Sequence, residues 1–459
     1  MQMRRKTWVR RACFALAFLA CFAVPGCAPA PNAAPAGSRD APAGEKTVFT
    51  ICVDSEADKT FYKTLHGGLA NQFPQVTFEF VRAWNAGGPG AQAAANYEAA
   101  MTKLRTEIMS GRGPDLFLLS DEYGSGVFPD PEKQMRAGVF ADLTPYLDTI
   151  GAGASLNEAV LAAGRVDGAQ YLLPLYYTVP GVVAPADLLA GFDAGENPAP
   201  AAFLEKLLAH CGAEGFAPVA MLTTYADQFT WAPSLNYGTS AARLDEDQTA
   251  LLSLLIRAGE WAQRMGYQAR HPIPEMPSRE APFAAFPLGA GVQEQQAFDL
   301  LCQEREPAVL PIPNGREGVT ASVALYAGVR ANSPHARLAA EILALLLRPE
   351  ALKRQDGTFN PWFYSLDQNE VQGLFERSFE RNRSVREKNG EAVPFTKEDC
   401  TALARQFADA AKTVNAARFT GFANGALYRE VIVPVTAGET TLEEAARDFE
   451  EAYDFYFEE

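Results

Sequence analysis

The stretch MSGRGPDLFLLSDEYG, residues 109–124, contains the end of a helix, a glycine–proline turn, an apolar run and a polar tip. The apolar residues do not alternate with polar ones, which is typical of a parallel strand buried on both faces. The tip carries Asp121, Glu122 and Tyr123. Three functions fit such a tip: a catalytic acid pair, a metal site or the rim of a ligand site.

The segments before this stretch predict a parallel sheet. TVFTICV at 47–53 and PQVTFEFV at 74–81 are rich in β-branched and aromatic residues and predict strands. Residues 59–73 fit a helix, and residues 94–111 predict another, with Gly111 at its end. In the second helix, one side collects Met101, Leu104, Ile108 and Met109. The order β-α-β-α-β predicts a mainly parallel sheet with helices on both faces.

Ligands of open α/β sheets bind beyond the carboxyl ends of the strands. The polar tip at 121–123 lies there, as do Asp54 and Ser55 after the first strand. We therefore expect these residues to face a cleft.

The N-terminus has the features of a lipoprotein leader. Five cationic residues precede CFALAFLACFAV at 13–24, an apolar run too short for a membrane span of about 20 residues. The following VPGC, residues 24–27, resembles the lipobox of bacterial lipoproteins, whose cysteine is lipidated and becomes the first residue after cleavage. This predicts a signal peptide at 1–26 and lipidation at Cys27; the alternative is an ordinary secretory signal cut near Ala28. Residues 27–45 are dominated by Ala, Pro and Gly and predict a flexible tether.

Charge and cysteine content exclude several classes of protein. The formal charge of −16 becomes −21 once the leader takes five positive charges away, which argues against nucleic acid as a partner. No CxxC pair occurs, and the histidines have no metal-ligand spacing, so we expect neither a cofactor nor a metal. Cys52, inside an apolar strand, is expected to be a buried free thiol.

Five quoted segments together resemble the extracellular solute-binding proteins of bacterial carbohydrate ABC transporters. They are MTKLRTEIMSGRGPDLFLLSDE (101–122), GVFADLTPYLD (138–148), VDGAQYLLPLYYTVPGVVAPADLL (166–189), GVTASVALYAGVRANSPHARLAAEILALLLRPEALKRQDG (318–357) and AGETTLEEAARDFEEAYDFYFEE (437–459). The stretch APFAAFPLGAGV (281–292) lacks the tryptophan that usually follows the family's glycine. The resemblance spans nearly the whole mature chain.

The resemblance implies a two-lobe α/β fold of the periplasmic-binding-protein type (type II), with a ligand cleft between the lobes. Lobe 1 would comprise residues 46–174 and 325–390, and lobe 2 residues 175–324 and 391–459. The chain would cross near 174–178, near 321–325 and near Ala392.

The chemistry of the tip favours ligand binding. A glycosidase needs two carboxylates facing each other about 5–9 Å apart, which neighbouring residues seldom provide. Carboxylates accept sugar hydroxyls strongly, although Asp121 and Glu122 could also be solvated loop charges.

Sugar C–H faces rest on aromatic rings, and the chain offers several candidates. The segment MLTTYADQFTWAPSLNYG (221–238) resembles the family's second binding segment. One of the two crossover tyrosines should also line the cleft. The candidate contacts are Trp84, Tyr176, Tyr177, Tyr225, Trp231, Asn236 and Trp362.

These features predict the substrate-binding component of an ABC importer, not an enzyme. The protein would be lipid-anchored at the extracytoplasmic face of the cell membrane, monomeric, and would close over a mono- or oligosaccharide before docking on permease subunits. The alternatives are a binding protein for a peptide, polyamine or other small polar solute, and a surface glycan-degrading enzyme.

Overall fold

The first part of the chain forms the predicted β-α-β-α-β order in the computed structural model. The elements are β1 Thr47–Val53, α1 Lys59–Gln72, β2 Val76–Arg82, α2 Ala91–Met109 and β3 Leu116–Ser120. Strand β1 pairs in parallel with both β2 and β3. The predicted parallel sheet is therefore confirmed for these three strands.

The turn between α2 and β3 depends on its two glycines. The N–H of Gly111 donates to the Ile108 carbonyl, and that of Arg112 donates to the Glu107 carbonyl, both at 2.9 Å. This pattern is the Schellman motif, which requires a left-handed residue after the helix. Gly111 has φ +74° and Gly113 has φ +105°, so both adopt the conformation that glycine permits. The Asp115 N–H then donates to the Thr50 carbonyl at 2.9 Å and begins the pairing of β3 with β1.

The structure describes residues 46–53, 59–82, 91–121, 127–128, 130–212, 234–236, 241–244, 246–264, 283–289, 291–348, 364–419 and 427–458. Residues 46–459 belong to one compact unit. The signal peptide, the tether and Cys27 lie outside the described residues.

The remaining strands are short except for two. They are β4 Arg165–Val166, β5 Ala169–Gln170, β6 Leu172–Pro185, β7 Ser234–Asn236, β8 Ala241–Arg243, β9 Ala284–Leu288, β10 Pro307–Pro311, β11 Val319–Val329, β12 Tyr364–Ser365 and β13 Val414–Arg418. The two long strands, β6 and β11, coincide with segments that carry the family resemblance.

The remaining helices cover the sheet and form the C-terminal part. They are α3 Pro131–Arg136, α4 Leu147–Ile150, α5 Glu158–Leu161, α6 Pro200–Cys211, α7 Glu246–Arg264, α8 Val292–Cys302, α9 Ala336–Leu346, α10 Gln368–Lys388, α11 Lys397–Lys412, α12 Val433–Thr436 and α13 Leu442–Glu458. Short 3₁₀ turns at Thr144–Tyr146 and Ala162–Gly164 and a π-helix at Tyr428–Ile432 complete the described elements.

The described strands form one nine-stranded mixed sheet, six of them in the order β10-β6-β11-β3-β1-β2. Strands β9 and β12 also pair with β6, and β13 pairs with β11. Two further sheets have two strands each, β4-β5 and β7-β8.

Strand β3 is buried on both faces, as its apolar run predicts. Leu118 belongs to a core cluster with Phe49 and Ile51, whereas Phe117 belongs to another with Phe128 and Phe140. A third cluster packs α6, α7 and α13 against the last part of β6.

The structure separates Met109 from the apolar side of α2 on which the sequence placed it. Met101, Leu104 and Ile108 are buried, but Met109 is 66% exposed. Successive helical residues differ by about 100° in direction, so a residue next to Ile108 turns away from the face that Ile108 buries.

Candidate functional site

Asp121 lies where the sequence predicts a polar tip. It directly follows β3, its backbone N–H donates to the Ala324 carbonyl of β11 at 3.0 Å, and it is only 1% exposed. This burial argues against a solvated loop charge. Glu122 and Tyr123 lie outside the described residues.

Strands β6 and β11 exchange neighbours beside this tip. The first half of β6 pairs with β11, with Thr178 opposite Ser322, and the second half pairs with β9 and β10. Strand β11 pairs with β13 up to Ser322 and with β3 from Leu325 onward. Each of these two strands thus runs from one group of paired strands into another at the Thr178–Ser322 pair. We call this pair the junction.

The two crossover tyrosines are buried at the junction. Tyr176 is 4% exposed and Tyr177 is 0% exposed. The Tyr177 ring stacks on Tyr364 of β12, with centroids 5.4 Å apart and planes 21° apart. Burial raises the pKa of both hydroxyls, and the charge of Glu370 raises that of Tyr176 further. Both residues remain neutral at physiological pH.

The other predicted site residues fall on parts of the chain that are not described. These are Asp54, Ser55, Trp84, Tyr225, Trp231 and Trp362. Asn236 is the last residue of β7, opposite Ala241 of β8.

Sequence reasoning missed a buried carboxyl group close to the junction. Glu294, in the first turn of α8, is 0% exposed, and its two carboxylate oxygens accept the N–H groups of Gly289 (2.6 Å) and Gly291 (2.9 Å). Burial raises its pKa to about 7, although both hydrogen bonds act in the opposite direction. The sequence signal is a glutamate three residues after the glycine that precedes a helix, since a glutamate at this position accepts the backbone N–H of the cap residue.

The described residues contain few features of metal or redox chemistry. No group of three or more His, Cys, Asp or Glu side chains among them could hold a metal ion. Cys211, Cys302 and Cys400 form no disulfide within the described structure, and Cys52 is buried as predicted. No helix in the described part of the chain is long and apolar enough to span a membrane.

A family model with the description bacterial extracellular solute-binding protein matches residues 70–353. This chain is a bacterial extracellular solute-binding protein. Family membership makes it the solute-binding component of an ABC transporter and confirms that it is not an enzyme. Curated proteins include no significant match to this solute-binding protein.

Solved structures confirm the fold class. A family 1 extracellular solute-binding protein from Alicyclobacillus acidocaldarius aligns at 16% identity and TM-score 0.52, over 90% of this chain and 99% of that chain. The sugar-binding protein MalE from Xanthomonas citri aligns at 14% identity and TM-score 0.54, over 90% and 97%. A protein solved with mannobiose bound aligns at 15% identity and TM-score 0.51, over 89% and 100%. At these identities the likeness shows the fold of this solute-binding protein.

Proposed function

We propose that this solute-binding protein is lipid-anchored and delivers a carbohydrate to an ABC importer by closing two lobes around it. The exchange of partners by β6 and β11 at the junction carries the proposal. Strands that run from one group of elements into another provide the hinge that such closure needs.

The proposed lobes are residues 46–174 with 325–390, and residues 175–324 with 391–459. Their boundaries on the two crossing strands lie close to Thr178 and Ser322, where the pairing changes. Because β6 and β11 run continuously through the junction, the lobes would share one sheet, which fits the grouping of residues 46–459 into one unit.

The ligand chemistry is proposed from the strand tip and from the structural relatives. Asp121 offers a carboxylate at the edge where open sheets bind ligands, and carboxylates accept hydroxyl groups strongly. Aromatic contacts are proposed at Trp84, Tyr225, Trp231 and Trp362, with Asn236 as a polar contact. Two structural relatives are a sugar-binding protein and a protein solved with mannobiose bound, which supports a carbohydrate.

Calorimetric titration tests the ligand class. Wild-type protein would be titrated with maltose, mannobiose and chitobiose and, for comparison, with a tripeptide and spermidine. Binding heat that saturates with one of the sugars, but not with the tripeptide or spermidine, supports a carbohydrate ligand. Saturation with only the peptide or the polyamine would replace the proposed ligand class.

The role of Asp121 is tested by substitution. Since a hydrogen bond to a charged group contributes about 1.5–3 kcal/mol, Asp121→Asn should weaken sugar binding about ten- to a hundredfold. The exposed Asp148→Asn is the matched control and should bind as wild type does. Thermal unfolding of both ligand-free variants separates lost binding from lost folding. Equal affinity of a folded Asp121→Asn variant would remove Asp121 from the site.

Closure and anchoring have separate tests. A sugar that bridges both lobes should lower the radius of gyration in small-angle scattering; an unchanged radius at saturation would contradict closure. The variant Cys27→Ser should lose lipid labelling and leave the membrane fraction, and full membrane retention would contradict the anchor.

A further inference from the structure

The two glycines before α8, Gly289 and Gly291, lie at the junction; we call them the glycine pair. Leu288, the last residue of β9, pairs with Val179 of β6, whereas the preceding residue of β6, Thr178, pairs with β11. The glycine pair therefore follows the carboxyl end of β9 where β6 changes partners. Both glycines have φ +91°, a conformation that other residues adopt at a cost.

The Glu294 carboxylate holds both members of the glycine pair. One oxygen accepts the Gly289 N–H at 2.6 Å and the other accepts the Gly291 N–H at 2.9 Å. The adjacent Gln293 donates from its amide nitrogen to the Gly181 carbonyl of β6 at 3.3 Å, so the helix turn is also connected to the crossing strand. Glu294 and Gln293 are both 0% exposed.

We propose that Glu294 is a positioning residue of the ligand site, and that its carboxylate keeps the backbone of the glycine pair in the conformation that binds the solute. This inference rests on the proposed function, because it assumes a ligand at the junction. The glycine pair lies where β6 changes partners, which is where the proposed lobes meet, and glycine allows a ligand close approach.

The surroundings of Glu294 contain few groups that could compensate its charge. The strands packed against α8, namely β6, β9 and β10, contain no charged residue. Tyr364 of β12 interacts electrostatically with Glu294, and Tyr177 of β6 interacts with Tyr364. The nearest acid toward the end of α8, Asp299, is paired with Arg386 of α10 at 2.6 Å.

Because few charged groups surround Glu294, its two hydrogen bonds with the glycine pair depend on pH. The pKa of Glu294, about 7, means that the group changes charge near neutrality. An ionised carboxylate accepts hydrogen bonds at both oxygens, whereas a protonated one turns one oxygen into a donor. Both glycine N–H groups therefore donate to the carboxylate above this pH, and these hydrogen bonds weaken below it.

The test first measures amide exchange of the glycine pair without ligand and then measures the affinity for the ligand. Amide hydrogen exchange of Gly289 and Gly291 would be followed in wild type, Glu294→Gln and the control Gln295→Ala, which changes an exposed neighbour in the same helix. Calorimetry would use whichever of maltose, mannobiose and chitobiose binds wild type. Because a hydrogen bond to a charged group is worth at least about a factor of ten, Glu294→Gln should lower both amide protection and sugar affinity about tenfold.

The pH profile separates positioning from a general loss of structure. Wild-type protection and affinity should rise between about pH 6 and about pH 8, whereas those of Glu294→Gln should not follow this titration. The control should behave as wild type.

Equal affinity and an equal pH profile in Glu294→Gln would overturn this inference and leave the proposed function intact. Failure of wild type to bind any of the sugars would overturn the proposed function and this inference with it. If Glu294→Gln does not fold, the pH profile of the wild-type protein tests the inference instead. Amide protection and sugar affinity that stay constant across the pH range would overturn it.

Discussion

Asp115 connects three parts of the large sheet, and its replacement by alanine should strongly destabilise the protein. Its carboxylate accepts the N–H and hydroxyl of Thr50 at 3.1 and 2.9 Å and the Ser333 hydroxyl at 2.7 Å. It also pairs with Arg330 at 3.4 Å. These contacts join the start of β3 to β1 and to the segment after β11.

The size of the loss follows from burial. The side chains of Arg330 and Asp115 are only 12% and 8% exposed, so water screens the pair weakly. Removing one partner of a buried pair costs about 3–5 kcal/mol. Arg330 retains hydrogen bonds to the carbonyls of Pro114 (3.1 Å) and Gly111 (2.8 Å), which compensate part of its charge. We therefore expect Asp115→Ala to lower the free energy of unfolding by about 3 kcal/mol, the lower end of that range.

Urea unfolding at neutral pH measures this change through the transition midpoint. The control is Asp409→Ala, which breaks an exposed pair with Lys412 and should change stability by less than about 1 kcal/mol. The variant Ser333→Ala removes one hydrogen bond to the charged carboxylate and should cost about 1.5 kcal/mol, the lower end of the range for such bonds. A loss below about 1 kcal/mol for Asp115→Ala would refute the reasoning, since it would place the network in the range of surface interactions.

Three further predictions concern buried groups near the junction and in the first half of the chain. Burial raises the pKa of Glu294 from 4.5 to about 7, so stability should fall by roughly 3 kcal/mol as pH rises between these values. The variant Glu294→Gln should lack this slope in unfolding measured at several pH values; an unchanged slope contradicts the assignment. The buried Tyr364 hydroxyl has no hydrogen-bond partner in the described structure, so Tyr364→Phe should leave the melting temperature unchanged or higher, and a clear decrease would reveal a missed partner. At Gly164, a Cβ atom would clash with the Leu172 carbonyl oxygen, so Gly164→Ala should cost about 3 kcal/mol in urea unfolding, and wild-type stability would contradict this contact.

The sequence determined the elements whose signals are local. The strands at 47–53 and 116–120 follow from continuous apolar runs, and the turn between α2 and β3 follows from two glycines with positive φ. The order of these elements indicated a parallel sheet, because parallel strands need a long crossover connection, which is usually a helix. The buried thiol of Cys52 was predictable for the same reason, since it lies inside an apolar strand.

Only the tertiary structure decided which polar groups are buried together. Tyr177 and Tyr364 stack although they are far apart in sequence, and Glu294 lies in the polar stretch QEQQ at the start of its helix. The exposed Met109 shows the same limit for apolar residues, because helical periodicity does not define where the buried face of a helix ends. Hydrophobic patterns report contacts within a few residues, whereas burial depends on segments that meet through the sheet. That is why the strand tip at Asp121 could be located from the sequence, while the buried carboxyl group at the junction could not.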